Sequence, residues 1–212
     1  MDYSKIKCVI VDFDNTMYSG GNWEGENQFY NNFLEKEKFL PEGKRNSEYV
    51  MSFYPKYHLL QAIYGYMQDH GLDDTPFRKF EATQIYDFVD KRTVFIEPAL
   101  VTELAKYYKV YLLSDSSKEY LDKHMKTAGI NKKDFIRVMS NQYIPGDLTK
   151  LPMMKQILQE TKLKPEEIVM VGDSELCDKE PAEKLGFQTF VVDNVFDTSN
   201  FFEKLIAEKR KN

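Results

Sequence analysis

The sequence predicts an α/β fold, an open parallel sheet interrupted by an inserted helical lobe. Five short apolar runs, the helical patterns between them, and one long stretch without a strand run predict it. The runs are Cys8–Val11, Val110–Leu113, Ile136–Met139, Ile168–Gly172 and Thr189–Val192. Each has strand length and is rich in β-branched residues, Leu or Met. Their apolar character is continuous rather than alternating, which suits strands buried on both faces of a parallel sheet.

Helical patterns separate the later runs. Residues 98–108 open with Pro98, a residue suited to a first helical turn. Residues 117–130 end in Gly129-Ile130, the pattern of a left-handed helix stop, and 180–187 repeat it at Gly186-Phe187. Residues 151–163 and 199–211 give two more helices. Strands alternating with helices define βαβ units. From Tyr18 to Phe95 the alternation stops, and amphipathic helical patterns such as 46–72 take over. Pro55 makes the latter a kinked helix or two helices. The aromatics of this lobe, among them Trp23, Phe29, Tyr30, Phe33, Tyr64 and Tyr66, are expected to pack a small helical core.

Composition narrows the classes. The 212 residues are 42% hydrophobic and 30% charged, ordinary for a globular chain, and the net charge is -5. That balance argues against a nucleic-acid partner. No apolar run reaches bilayer length, the N-terminus lacks signal-peptide character, and Cys8 and Cys177 form no disulfide framework or zinc pattern. The expectation is a cytoplasmic protein with no membrane partner. His58, His70 and His124 show no metal spacing and are expected at the surface or in packing.

Polar clusters follow three of the runs: Asp12-Phe13-Asp14-Asn15-Thr16, Ser114-Asp115-Ser116-Ser117, and Gly172-Asp173-Ser174 with Asp178 beyond. In open α/β sheets ligands bind outside the carboxyl ends of the strands, so these clusters are expected at one edge. Asp12, Asp14, Asp173 and Asp178 would repel one another there. A hard divalent cation such as Mg²⁺ relieves that repulsion. Helix capping competes for Asp115 and Asp178, and could explain one of Asp12 and Asp14 but not both. Ser114, ahead of the 117–128 helix, can bind an anion, cap the helix, or both. Lys150, ahead of the next helix, is the best candidate to counter phosphate and aspartate charge.

With these residues in view, "DFDNT", "LLSDS", Lys150 and "VGDSELCDKEPAEKLGF" resemble, in order, the four motifs of the haloacid dehalogenase-like (HAD) superfamily. The resemblance implies a Rossmann-like HAD core over 1–17 and 96–212, with 18–95 as a helical cap domain. It implies Asp12 as nucleophile and metal ligand, and Asp14 as general acid/base that also gives its carbonyl to the metal. Ser114 and Lys150 would hold the transferring phosphoryl group, with Asp115 beside them as a substrate-binding candidate. Asp173 would ligate Mg²⁺, Asp178 would organise the outer shell or Lys150, and Thr16 would steady the first loop. The Lys motif departs from the Lys-Pro-Asp-Pro of many relatives, reading Lys150-Leu151-Pro152-Met153, and leaves Lys155 as a weaker candidate.

The resemblance therefore implies a Mg²⁺-dependent phosphatase acting on a small phosphorylated metabolite of the nucleotide or sugar phosphate class. Asp14 favours ester hydrolysis, because family members that protonate no ester oxygen lack an Asp there. The alternatives are a phosphotransferase or phosphomutase with the same aspartyl-phosphate, and a non-catalytic phosphate-binding or interaction module. Tyr18, Asn22 and Trp23, which lead into the lobe, are candidate substrate contacts, with loop packing as the competing reading. Oligomeric state is not legible.

Overall fold

The computed structural model describes residues 1–20, 26–83, 93–141, 143–144 and 146–211. Asn22 and Trp23 lie outside the described residues. A five-stranded sheet runs through the molecule, with every neighbouring pair of strands parallel. Its strands are β1 (Cys8–Val11), β4 (Lys109–Ser114), β5 (Arg137–Ser140), β6 (Ile168–Gly172) and β7 (Gln188–Val191).

The continuous apolar runs of β1, β4 and β6 have the predicted cause: alternate residues of these strands enter two different cores. Val9, Val11, Val110, Leu112, Val169 and Val171 pack on one face. They meet α5 (Pro98–Ala105), α6 (Lys118–Ala128) and α9 (Val195–Lys211) through Val101, Leu121 and Phe202. Cys8, Ile10, Tyr111, Leu113, Ile168 and Met170 pack on the other, against Met153 and Ile157 of α7 (Leu151–Thr161) and Ala182 of α8 (Glu180–Lys184). The burial of Cys8 thus belongs to the sheet core. Gly129 ends α6 at φ 70°, in the left-handed region, and Ile130 folds back with its N–H on the Met125 carbonyl.

Between β1 and α5 lie α1 (Glu26–Lys36), α2 (Ser47–Met51), α3 (Leu59–Asp69) and α4 (Thr75–Glu81). Pro55 falls in the break between α2 and α3, so the 46–72 pattern is two helices. Tyr30, Phe33, Val50, Ile63, Tyr66 and Phe77 give this segment an apolar cluster of its own. The reading of Tyr18 to Phe95 as a helical lobe with no clear strand run is adjusted only at its two ends. β2 (Tyr18–Ser19) pairs antiparallel with β3 (Val94–Phe95) at the two ends of the segment. Two-residue strands are too short to leave a periodic signal. No helix among the described residues is long and apolar enough to cross a membrane.

The order 5-4-1-6-7 sets the position of the site. From β1 the chain builds outward through β4 to β5, then crosses to the other side of β1 for β6 and β7. The switch point lies at the carboxyl ends of β1 and β6, where such sheets open a crevice.

Candidate active site

Three strand ends and one helix start converge on a cavity of about 270 Å³. β1 delivers Asp12 and Asp14, the β4 loop delivers Asp115 and Ser116, β6 delivers Asp173 and Ser174, and Lys150 enters from the start of α7. Asn15, in the first loop, has φ 56°, a left-handed conformation that Asn tolerates better than most residues. It turns the chain so that both aspartates face the cavity.

Lys150 is the centre of the charge arrangement. It is 2% exposed, and its Nζ lies 2.5 Å from Asp12 Oδ1, 2.6 Å from Asp178 Oδ1 and 3.7 Å from Asp115 Oδ2. Burial opposes its charge, but Asp12, Asp178 and Asp115 outweigh that and hold its pKa well above the usual lysine value. Lys155, the weaker candidate, is exposed. Asp12 is raised well above the usual carboxylate range, first by burial and then by Asp178, Asp173 and Asp14, against the pull of Lys150. Asp173 is raised by burial and by Asp178. Thr16 Oγ1 donates to Asp12 Oδ2 at 3.4 Å, which ties the first loop to its own carboxylate.

The fourth loop owes its shape to Gly172. A Cβ there would stand 2.2 Å from Asp178 Oδ2. Its absence lets the π-helical turn Glu175–Lys179 fold Asp178 back against the strand end. Asp178 then accepts the Ser174 N–H on Oδ2 at 3.0 Å while Oδ1 holds Lys150.

The carboxylates of Asp12, Asp173 and Asp178 offer oxygens that all lie within 4.8 Å of one another. Together with Asp115 they outnumber the single charge of Lys150. An all-oxygen, charge-deficient set of this kind fits a hard divalent cation such as Mg²⁺. The Asp14 carboxylate stands outside that set. It accepts hydroxyls on both oxygens: Tyr18 at 2.7 Å and Tyr120 at 3.0 Å on Oδ1, Ser116 at 3.0 Å and Ser114 at 3.3 Å on Oδ2.

Ser114 is buried and its Oγ accepts the Ser116 N–H at 3.0 Å, whereas Ser116 lines the cavity. The cap of α6 is Ser117, which accepts the Tyr120 N–H. Asp115 lines the cavity and accepts the Gln61 amide at 2.9 Å. Burial raises its pKa, partly offset by Lys150. Tyr18 is 1% exposed and spends its hydroxyl on Asp14, so its contact is with the site's own acid.

The opposite wall comes from the helical segment: Tyr30 of α1, and His58, Leu60 and Gln61 at the start of α3. Gln61 also donates to Cys177 Sγ at 3.0 Å, and burial pushes that thiol up to about 12. Sequence reading missed this wall and placed His58 with surface or packing residues. Ser116, Tyr120 and Ser174 were findable, since each lies within or just after a polar cluster at a strand end. Tyr30, Leu60 and Gln61 carried no such signal.

These features define an open α/β sheet protein with an acidic, lysine-bridged site at its switch point. The chain belongs to the haloacid dehalogenase-like hydrolase family, whose model matches residues 6–186. No curated protein matches the chain. Among solved structures it is similar to a haloacid dehalogenase-like family hydrolase from Streptococcus pneumoniae, at 18% identity and a TM-score of 0.59, covering 97% of this chain and 99% of that one. It is also similar to a HAD family enzyme from Bacteroides thetaiotaomicron. In that enzyme's magnesium complex the identity is 18% and the TM-score 0.57, over 93% of this chain and 98% of the other. Its complex with magnesium and inorganic phosphate aligns at 18% identity and a TM-score of 0.53, over 88% and 93%. At these identities the likeness is one of fold.

Proposed function

We propose that this hydrolase is a Mg²⁺-dependent phosphatase that cleaves a small phosphorylated metabolite, of the nucleotide or sugar phosphate class, through an aspartyl-phosphate on Asp12. The observation that carries the reading is the pairing of roles on one cavity. Asp12 is held by Lys150 at 2.5 Å, and a second carboxyl, Asp14, faces the same space on hydroxyl donors. Asp12, Asp173 and the Asp14 carbonyl would hold Mg²⁺, with Asp178 behind them, and the bound cation supplies positive charge to the phosphoryl oxygens. The Bacteroides thetaiotaomicron enzyme of similar fold forms a complex with magnesium and inorganic phosphate, which supports the choice of cation and of a phosphate substrate.

A carboxylate oxygen of Asp12 attacks phosphorus, and the ester P–O bond breaks as the Asp12 O–P bond forms. Asp14 gives its proton to the departing oxygen. It then takes a proton from the water that attacks phosphorus, which returns Asp12 as a carboxylate and releases phosphate. Lys150 holds Asp12 in place and balances charge on the phosphoryl group. The helical segment, residues 18–95, acts as a cap over a core of 1–17 and 96–212, with Tyr30, His58 and Gln61 toward the leaving group.

The test is a panel of phosphorylated metabolites assayed with Mg²⁺ and with chelator. Turnover is expected only with the metal, with phosphate released to water rather than passed to an added alcohol. Asp14→Asn is expected to lose on the order of 10²–10⁴-fold on alkyl phosphates and far less on p-nitrophenyl phosphate. Equal losses on both, or no Mg²⁺-dependent hydrolysis across the panel, contradicts the assignment.

A further inference from the structure

Glu81 is a fully buried carboxylate at the end of α4, outside the catalytic cavity. It accepts the Tyr64 hydroxyl at 2.6 Å and the Ser117 N–H at 2.9 and 3.2 Å. Ser117 directly follows the two residues that the β4 loop presents to the cavity, Asp115 and Ser116. Glu81 therefore reaches from the helical segment to the helix start that fixes this loop, where the positive end of α6 receives a carboxylate. Neighbouring contacts brace the same junction. Arg78, one turn earlier, donates to Asn141 Oδ1 at 2.8 Å, and Lys123 of α6 donates to the Ala82 carbonyl at 2.6 Å.

We propose that Glu81 is a positioning residue for the cavity, a latch through which the helical segment sets the loop carrying Asp115 and Ser116. The latch has a built-in dependence on pH. Burial pushes the Glu81 carboxyl from its ordinary 4.5 up to about 7, against the pull of the Tyr64 and Ser117 donors, and the charge of Asp14 adds to the rise. The groups facing it are Tyr64 from α3, the Ser117 N–H of α6, Arg78 on its own helix and Asp14 from the β1 loop. Arg78 is already engaged with Asp74 and Asn141.

The direction follows from linkage. An open latch returns Glu81 to water and to its ordinary pKa, so the closed form binds the proton more tightly. Opening is therefore disfavoured in acid. It rises about tenfold per pH unit between the two values and levels off above the higher one. The neutral carboxyl is the tight form, and ionisation loosens the loop.

Amide hydrogen exchange of the full chain, read at Ser116, Ser117 and Tyr120 from about pH 5.5 to 8 and corrected for intrinsic base catalysis, tests this. In the wild type, opening is expected to rise about tenfold from roughly pH 5.5 to 6.5 and to flatten above about 7. Glu81→Gln, fixed in the neutral state, should give a flat profile and exchange at least about tenfold more slowly at neutral pH. Tyr64→Phe withdraws a donor from the ionised carboxylate, so it should extend the rise to higher pH. It also serves as the second arm if the Gln variant fails to fold. Wild-type and variant profiles that coincide, or wild-type opening that falls as pH rises, would overturn the proposal. The readout needs no substrate or turnover, so it stands apart from the reaction assigned to Asp12.

Discussion

Four hydroxyls converge on Asp14, two on each carboxylate oxygen, and they differ in what they can release. Tyr18 is buried, and Ser114 is engaged with the Ser116 backbone. Ser116 and Tyr120 line the cavity, so these two can exchange Asp14 for a bound ester. The two tyrosine hydroxyls lie 3.0 Å apart, and burial holds both well above the usual phenol pKa, so they remain donors. Tyr120→Phe keeps the ring and removes one donor to a charged group. A hydrogen bond of that kind is worth about 1.5 kcal/mol or more, so about a tenfold loss of kcat on alkyl phosphates is expected. The loss should shrink on p-nitrophenyl phosphate, whose leaving group needs little protonation. A leaving-group series measures this, and an equal loss throughout would assign Tyr120 to packing alone.

At the scale of elements, the strands and their terminal carboxylates were legible because a parallel sheet imposes both. Burial on two faces forces continuous apolar runs, and parallel direction brings every polar strand end to one edge. That is why Asp12, Asp115 and Asp173, far apart in the chain, meet at one cavity. Boundaries were less legible. β5 starts at Arg137, one residue after the apolar run begins at Ile136, which is 55% exposed, and α9 begins at Val195, four residues before the pattern at 199. The cap of α6 fell to Ser117 among several serines that local sequence does not rank. The cavity wall from α1 and α3 was not readable at all. Tyr30 and Gln61 reach the cavity through the docking of the helical segment, which depends on contacts such as Gln61 with Asp115 across 54 residues.

At the scale of the whole molecule, His124 and Glu81 respond to acid in opposite directions. His124 is fully buried among Phe13, Tyr18 and Tyr120, and neither ring nitrogen has a hydrogen-bond partner among the described residues. Burial lowers its pKa from 6.5 to about 4, so its contribution to stability is present above the higher value and lost as pH falls toward the lower. Glu81, raised from 4.5 to about 7, contributes stability in acid that is lost as pH rises. Each swing is about 3 kcal/mol, and the two nearly cancel across their shared range. Relative to the wild type, as pH falls from about 6.5 to 4.5, His124→Phe should therefore shift the slope toward greater stability in acid and Glu81→Gln toward less. Urea unfolding over that range checks both signs, and variants that keep the wild-type slope would contradict them. A covalent bond to Asp12 would be caught by mass spectrometry of acid-quenched enzyme during turnover of a phosphate ester with Mg²⁺. A phosphoryl adduct is expected on the peptide containing Asp12, absent from inactive Asp12→Asn. Steady turnover with no adduct, and with activity retained in Asp12→Asn, would contradict it.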